Sequence, residues 1–541
     1  MQAESATSGV SAVNDKLDVM DFFVQNILPE LQQTNGHAML NATAIKFATT
    51  FRNQFTTEHL TALMPLLIKH LSSSSVVVHT YAAAGIEKVL VTKKQIDIPT
   101  KETKFGQKEL KQFLEPLFTG LFSIVDNEDR SENEYVMKAV MRSLSVARDD
   151  LLAVTEIVLN KLTASLGRVA KNPKNPYFNH YLFESIAVLV KSVCSKNPEY
   201  TSAFEALLFP PFQHVLQMEV LEFTPYVFQV LAQLLEYRPD GLSDAYSSLF
   251  GPLMTPSLWE SKGNVPGLTR LVTAYLLKGA PQLIAQNHLM PILGVFQKLL
   301  SSKANETNGF LLLEAIILYV PMDSLRGVFK DIFQVLLVRL QSAAQNKQKN
   351  ARYFTLVSNY FSLFAGKYGA QAFVEQLDAI QQGIAFTLLK QFWLPPLVQS
   401  APSTKMDAKI NIVGLTKILC ESPSLLERPD GQEIWGDILF AIVQAASSVG
   451  TGLGSNNEDD FVVEMSYDSA YSKLHFASKP VTDPFPEVPD VMMYMVKSLQ
   501  TLCSSQPGKF PPLIKNRLEM SSGKEAAILQ SMMQKSGVNL V

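Results

Sequence analysis

Cysteine is scarce. Three residues in 541, Cys194, Cys420 and Cys503, give an odd count with no Cys-x-x-Cys pair. That argues against a disulfide framework and for a reducing compartment. An excess of one charge is also lacking: 47 Lys plus Arg face 50 Asp plus Glu, for a formal net charge of −3. Such a balance is too near neutral to hold a phosphate backbone by bulk electrostatics, and no nucleic-acid partner is expected. No run of 18 apolar residues occurs. The richest stretch, FLLLEAIILYV, is interrupted by Glu314 and too short to span a bilayer, so no membrane insertion is expected. The opening MQAESATSGVSAVND shows neither the apolar core of a secretory signal nor an Arg-rich transit pattern, and residues 1–14 are expected to be disordered.

Catalytic signatures are missing too. The chain has no GxxxxGK[ST] phosphate loop, no HExxH pair and no GxSxG elbow. Its eight histidines are dispersed, and the closest are His59 with His70 and His70 with His79. Lone histidines in a helical array are expected in the core or between helices rather than on a metal. GTGLG at 450–454 has the look of a glycine fingerprint. It follows a helical segment instead of a strand, however, and the next residues include Glu458, Asp459 and Asp460, which would repel phosphate. No catalytic residue, metal ligand or cofactor is expected, and the chain does not read as an enzyme.

What the sequence does contain is apolar residues, at 47%, with 18% charged, a composition that folds. Length alone would allow three or four domains. Strand signals are nearly absent. Apolar residues recur instead at intervals of three and four: Leu60, Leu63, Met64, Leu67 and Leu71 share one helical face, as do Leu110, Leu114, Leu117, Leu121 and Ile124. Aromatic residues such as Phe118, Phe122, Phe354, Phe361 and Phe364 fall at the same spacing and are expected in the core.

These helices recur. First helices begin near 56, 107, 149, 197, 241, 281, 323 and 369, in steps of 40 to 51 residues, and a second helix follows each. Steps of roughly 40–47 residues are the mark of HEAT or armadillo units, antiparallel helix pairs that bury their faces only by stacking. The expected fold is all-α, a HEAT-repeat solenoid, wound as a right-handed superhelix of antiparallel helix pairs. The repeats are expected over 15–505, with 506–541 forming capping helices and a tail. Prolines at 173, 176, 198, 256 and 281 are expected between helices or in first turns.

Insertions into such arrays often carry binding surfaces. One, near 91–106, is Lys-rich and reads as a solvated loop; another, at 449–468, is Gly-rich and then acidic. The KPVTDPFPEVPD stretch has four prolines and cannot be helical. The basic stretch RLQSAAQNKQKNAR at 339–352 falls at a helix-pair turn and reads as a solvated face. Acidic positions are the candidate contacts for a basic partner: Glu458, Asp459, Asp460 and Glu464 beside Phe461, and Glu132 and Glu134 at a helix start, where capping is the simpler role.

Eight stretches between about 50 and 485 resemble, in order, the CAS/CSE family of exportins: FRNQFTTEHL, SSVVVHTYAA, SENEYVMKAVMRS, KNPYFNHYLFESI, EFTPYVFQVLAQLLE, GNVPGLTRLV, GVFQKLLSSKAN and AYSKLHFASKPVTDP. The resemblance implies a HEAT-repeat nuclear export receptor of the importin-β superfamily. Such a receptor binds importin-α together with the Ran small GTPase in its GTP form, passes nuclear pore proteins, and shuttles between nucleus and cytoplasm. Hydrolysis belongs to Ran, so the receptor needs no catalytic groups. The resemblance covers the C-terminal half of such receptors, and a fragment, partial gene model or short isoform without the N-terminal Ran-binding region is the expectation. The rival reading is a static helical-repeat scaffold whose binding ignores nucleotide.

Overall fold

The structure is a computed structural model that describes residues 13–14, 16, 18–33, 36–94, 102–127, 132–399, 402, 404–422, 425, 430–450, 473–478, 482–519 and 524–538. The candidates Glu458, Asp459, Asp460 and Glu464 lie outside these residues, as do nearly all of the GTGLG motif and residues 95–101. The chain divides into two compact units. One comprises Met1–Tyr246, Glu260–Ala274 and Asp459–Lys479; the other comprises Ser247–Trp259, Tyr275–Glu458 and Pro480–Val541.

The first unit is built from α1 (Ala38–Thr50), α2 (Thr57–His70), α3 (Val76–Leu90), α4 (Leu114–Val125), α5 (Glu134–Ala147), α6 (Thr155–Val169), α7 (Pro176–Cys194), α8 (Thr201–Gln217) and α9 (Thr224–Tyr237). Helices α2, α4, α6 and α8 each pack on the helix that follows. The second helices also stack on one another, α3 on α5, α5 on α7 and α7 on α9. This makes two layers, A from the first helices and B from the second, as in HEAT repeats. The layers differ because their sequences do. In α2 the buried set Leu60, Leu63, Met64 and Leu67 leaves the opposite face to solvent, whereas in α9 every residue from Thr224 to Leu235 is buried. A helix that is apolar nearly all round must be covered on all sides.

Helix starts follow local chemistry. Thr56 caps α2 by accepting from His59 N at 3.3 Å. Asn133 accepts from Tyr135 N and Val136 N at the start of α5, and Asn175 does the same for Tyr177 N and Phe178 N in α7, with Pro176 at the first helical position. The free amides of a first turn need such acceptors.

The second unit holds α12 (Leu289–Leu300), α13 (Glu306–Tyr319), α14 (Phe329–Ala344), α15 (Ala351–Tyr368), α16 (Ala370–Asp378), α17 (Lys405–Glu421), α18 (Gly431–Gly450), α19 (Val491–Ser505), α20 (Phe510–Glu519) and α21 (Lys524–Ser536). Helices α10 (Asp244–Leu253) and α11 (Asn264–Ala285) precede these and contribute residues to both units. Again α13 stacks on α15 and α15 on α17. The α15–α17 approach is so close that a Cβ at Gly414 would lie 2.1 Å from the Ser362 carbonyl oxygen. Phe118, Phe122, Phe354, Phe361 and Phe364 are all buried, and the three cysteines are free thiols; burial pushes Cys194 and Cys420 up to about 12.

The expected helix start near 281 is met: helicity breaks at Gly279 (φ −149°) within α11, and Pro281 falls in the first turn of the segment after the break. One expectation needs correction. The end of the Lys-rich insertion is not a solvated loop. Lys104 Nζ donates to the carbonyls of Asn53 and Phe55 at 2.7 and 2.9 Å, Phe105 is fully buried, and Lys93 and Thr103 form an antiparallel bridge. Among the described residues that bridge is all the extended pairing there is.

Candidate functional site

The B layer of the first unit carries polar groups where an apolar layer would be simplest. Glu87 on α3, Arg142 on α5 and Glu184 on α7 are all buried, and Arg52, buried in the turn before α2, has its pKa lowered by that burial against the opposing pull of the Glu87 charge. Arg142 Nε is 3.5 Å from Glu87 Oε1, and its charge also acts on Glu184. Arg52, Glu87, Arg142 and Glu184 therefore alternate in sign from repeat to repeat. Buried charges persist only when paired and hydrogen-bonded, and alternation supplies the pairing.

The row ends on α7 and α9 in a different kind of contact. Glu184, 0% exposed, accepts from the backbone N–H of His475 at 2.5 Å and of Phe476 at 3.0 Å, one on each carboxylate oxygen. Gln229 Oε1 accepts from Leu474 N at 2.9 Å, while its Nε2 donates to the Pro225 carbonyl at 3.0 Å. Gln233 Nε2 donates to both the Phe476 and the Ala187 carbonyls at 3.1 Å. Leu474 and Ala477 are fully buried. Residues 473–478, 243 to 292 positions further along the chain, are thus held through their main chain by three side chains of α7 and α9. Burial pushes the Glu184 carboxyl up to about 7, against the pull of the two N–H groups and of the charges on Arg142 and Lys191. Burial also drives His180 down to about 4; its Nε2 is 3.9 Å from Glu184 Oε1, and its Nδ1 bonds the Tyr226 hydroxyl at 3.1 Å.

Three of the stretches that carry the family resemblance meet here: KNPYFNHYLFESI supplies His180 and Glu184, EFTPYVFQVLAQLLE supplies Gln229 and Gln233, and AYSKLHFASKPVTDP supplies the held segment. None of these residues was singled out in the sequence as a site. The available signal was Gln229 and Gln233 at i and i+4, one polar stripe on an otherwise apolar helix.

Glu132 and Glu134 lie at the N-terminal edge of the same layer. The Glu132 carbonyl accepts from Asn175 Nδ2 at 3.1 Å, and one of its carboxylate oxygens is buried without a hydrogen bond. Glu134 occupies the first turn of α5. Asn133 Nδ2 donates to Thr80 Oγ1 at 2.7 Å, so caps 42 residues apart each reach back to the preceding repeat. Tyr135 and Tyr177, half exposed, follow those caps.

In the second unit α12 and α14 border a groove of about 730 Å³ with Leu293, Leu300, Ile332 and Val335 in its lining and exposed Met290 and Val338 at its rim. Arg339 is turned inward here: it pairs with buried Glu306 at 3.2 Å and lies 4.8 Å from the Tyr353 ring centroid. The basic 339–352 stretch is therefore partly internal. Among the described residues no cluster of three or more His, Cys, Asp or Glu could hold a metal ion, and no helix is long and apolar enough to cross a membrane.

Comparison with known proteins places this geometry. The family model "CAS/CSE protein, C-terminus" matches residues 87–530, and the model "Cse1" matches residues 1–86. Exportin-2 of Bos taurus is 35% identical over 555 residues, covering 100% of this chain and 55% of its own length; Exportin-2 of Homo sapiens matches at the same identity and coverage. The chain thus spans about half the length of the curated relatives it matches. The solved structure of the exportin Cse1 in its cargo-free, cytoplasmic state superposes with a TM-score of 0.80 at 27% identity, over 98% of this chain and 52% of that one. Importin beta shares the fold at 10% identity, with a TM-score of 0.59 over 99% of this chain and 62% of its own. With two layers of paired helices in each unit and family models matching 1–86 and 87–530, the chain belongs to the CAS/CSE family.

Proposed function

We propose that this chain acts in nuclear export, as a receptor or the part of one that carries importin-α from nucleus to cytoplasm in complex with Ran in its GTP form. The observation that carries the reading is the match of the whole chain to Exportin-2 at 35% identity. Nuclear pore proteins are further partners on this reading, and the chain shuttles between the two compartments. Catalysis is not required of it, since the GTPase performs the hydrolysis. An all-helical, stacked-repeat framework supports such a role because it offers long faces for folded proteins.

Receptors of this kind gain affinity by engaging their ligands at several separated patches, which multiplies weak contacts. A chain about half as long as its relatives is expected to bind more weakly than a full-length receptor. The test is capture of importin-α by these 541 residues with Ran loaded with GTP or with GDP. Weak binding, at about micromolar Kd or above, that is stronger with GTP supports the proposal. Binding indifferent to nucleotide would favour a static scaffold, and tight GTP-dependent capture of Ran by this chain alone would overturn the idea that the half binds weakly.

A further inference from the structure

We infer that residues 473–478 form a reversible strap, docked on α7 and α9 through Glu184, Gln229 and Gln233, that braces the two helices against each other. The inference rests on hydrogen bonds within the first unit and is independent of the transport reading. Three features carry it. The hydrogen bonds of Glu184, Gln229 and Gln233 to the strap are made to its main chain: three N–H groups and one carbonyl, bound by side chains that are themselves buried. Its fully buried side chains are Leu474 and Ala477, His475 and Phe476 are half-buried, and Lys473 is exposed. Lastly, the strap touches both helices at once, with Gln233 sharing its amide between Phe476 of the strap and Ala187 of α7.

A short segment without helical hydrogen bonds, held through its main chain and two fully buried side chains, belongs to the less stable parts of a fold and can leave without unfolding what lies beneath. Its departure has a definite consequence. The carboxylate of Glu184 loses two charge-assisted donors, and Gln229 loses its acceptor role, at positions buried among apolar neighbours. Small rotations between neighbouring helix pairs are the soft motions of such arrays, and a strap that spans α7 and α9 opposes them. Occupied, the B layer is stiff at this repeat; vacated, it is looser and offers a groove that reads an extended main chain.

Hydrogen exchange on the full chain tests this. The amides of Leu474, His475 and Phe476 are expected to exchange about a hundredfold more slowly than in an unstructured peptide. Leu474→Asp should abolish that protection and raise exchange at least about threefold in α7 and α9, with no change in α2 or α15. Because Leu474→Asp places a charge in an apolar site, Glu184→Gln serves as the second variant. It keeps the shape but replaces one acceptor by a donor, and should release the strap while the helices stay folded by circular dichroism. A synthetic peptide of residues 470–482 added to the Leu474→Asp chain should restore protection in α7 and α9. Strap amides that exchange freely in the unaltered chain, or helices whose exchange ignores both variants, would overturn the proposal.

Discussion

Glu184 and His180 are one helical turn apart, both buried, and their protons oppose one another. Burial raises the Glu184 carboxyl to about 7 from its ordinary 4.5, so between those values the native state holds the extra proton and stability falls as pH rises. Burial lowers His180 to about 4 from 6.5, so between those values the unfolded state holds the extra proton and stability rises with pH. Over pH 4.5–6.5 these two slopes oppose one another, and Glu314, raised to about 7 by burial, adds a further decline in the unaltered chain. Measured against that chain, Glu184→Gln should tilt the profile toward greater stability at higher pH, and His180→Gln should tilt it the other way. Urea midpoints at pH 4.5, 5.5 and 6.5 would show it, and two profiles parallel to that of the unaltered chain would refute the assignment of either proton. The charges of Arg142 and Lys191 reach Glu184 and pull its window downward against the effect of burial.

Helices differ in how plainly their sequences announce them. The second helices were legible to within a few residues, as for VVVHTYAAAGIEKVLV against α3 and RYFTLVSNYFSLFAGKYG against α15, because an all-round apolar face permits one placement. Pro281 was legible as well, since it falls in the first turn after the break at Gly279, where its missing N–H costs nothing. Lys104 misled because its partners are two carbonyls about fifty residues away. The strap was invisible for the same reason: its contacts are non-local, and nothing near Leu474 predicts Gln229. Close packing of elements leaves a sharper mark. At Gly414 any side chain meets backbone, not a movable group. Gly414→Ala is therefore expected to cost about 3 kcal/mol or more by forcing α15 and α17 apart, measured by chemical denaturation. A loss below about 1 kcal/mol would mean the interface yields more easily than packed helices do.

For the molecule as a whole, the net charge of −3 conceals an ordering of charges, some of which are internal. The pairs Glu87–Arg142, Glu205–Arg238, Glu236–Arg270 and Glu306–Arg339 join one helix to another. These are not available to a partner, which narrows the acids that could be. Of the six acidic candidates, Glu132 and Glu134 fall on described residues, at the edge marked by Tyr135 and Tyr177. Charge reversal of both to Lys should weaken capture of a basic partner about tenfold, with a stability cost of about 1–3 kcal/mol from the buried Glu132 oxygen and the first-turn place of Glu134. Unchanged capture would reduce these acids to helix-start chemistry. Reversal of Asp459 and Asp460 tests the other cluster in the same assay.

The strap also has a history written into its position. Glu184 and Phe476 are 292 residues apart. A ribosome adding about 5–20 residues per second needs roughly 15–60 s to travel from one to the other. For that interval the newborn first unit carries a carboxyl whose two N–H donors do not yet exist, with the charges of Arg142 and Lys191 alone to favour its anion. Synthesis of His475 and Phe476 then adds two donors that favour the anion further. The last step in maturing this surface is thus the arrival of a distant piece of main chain, long after its helices have been made.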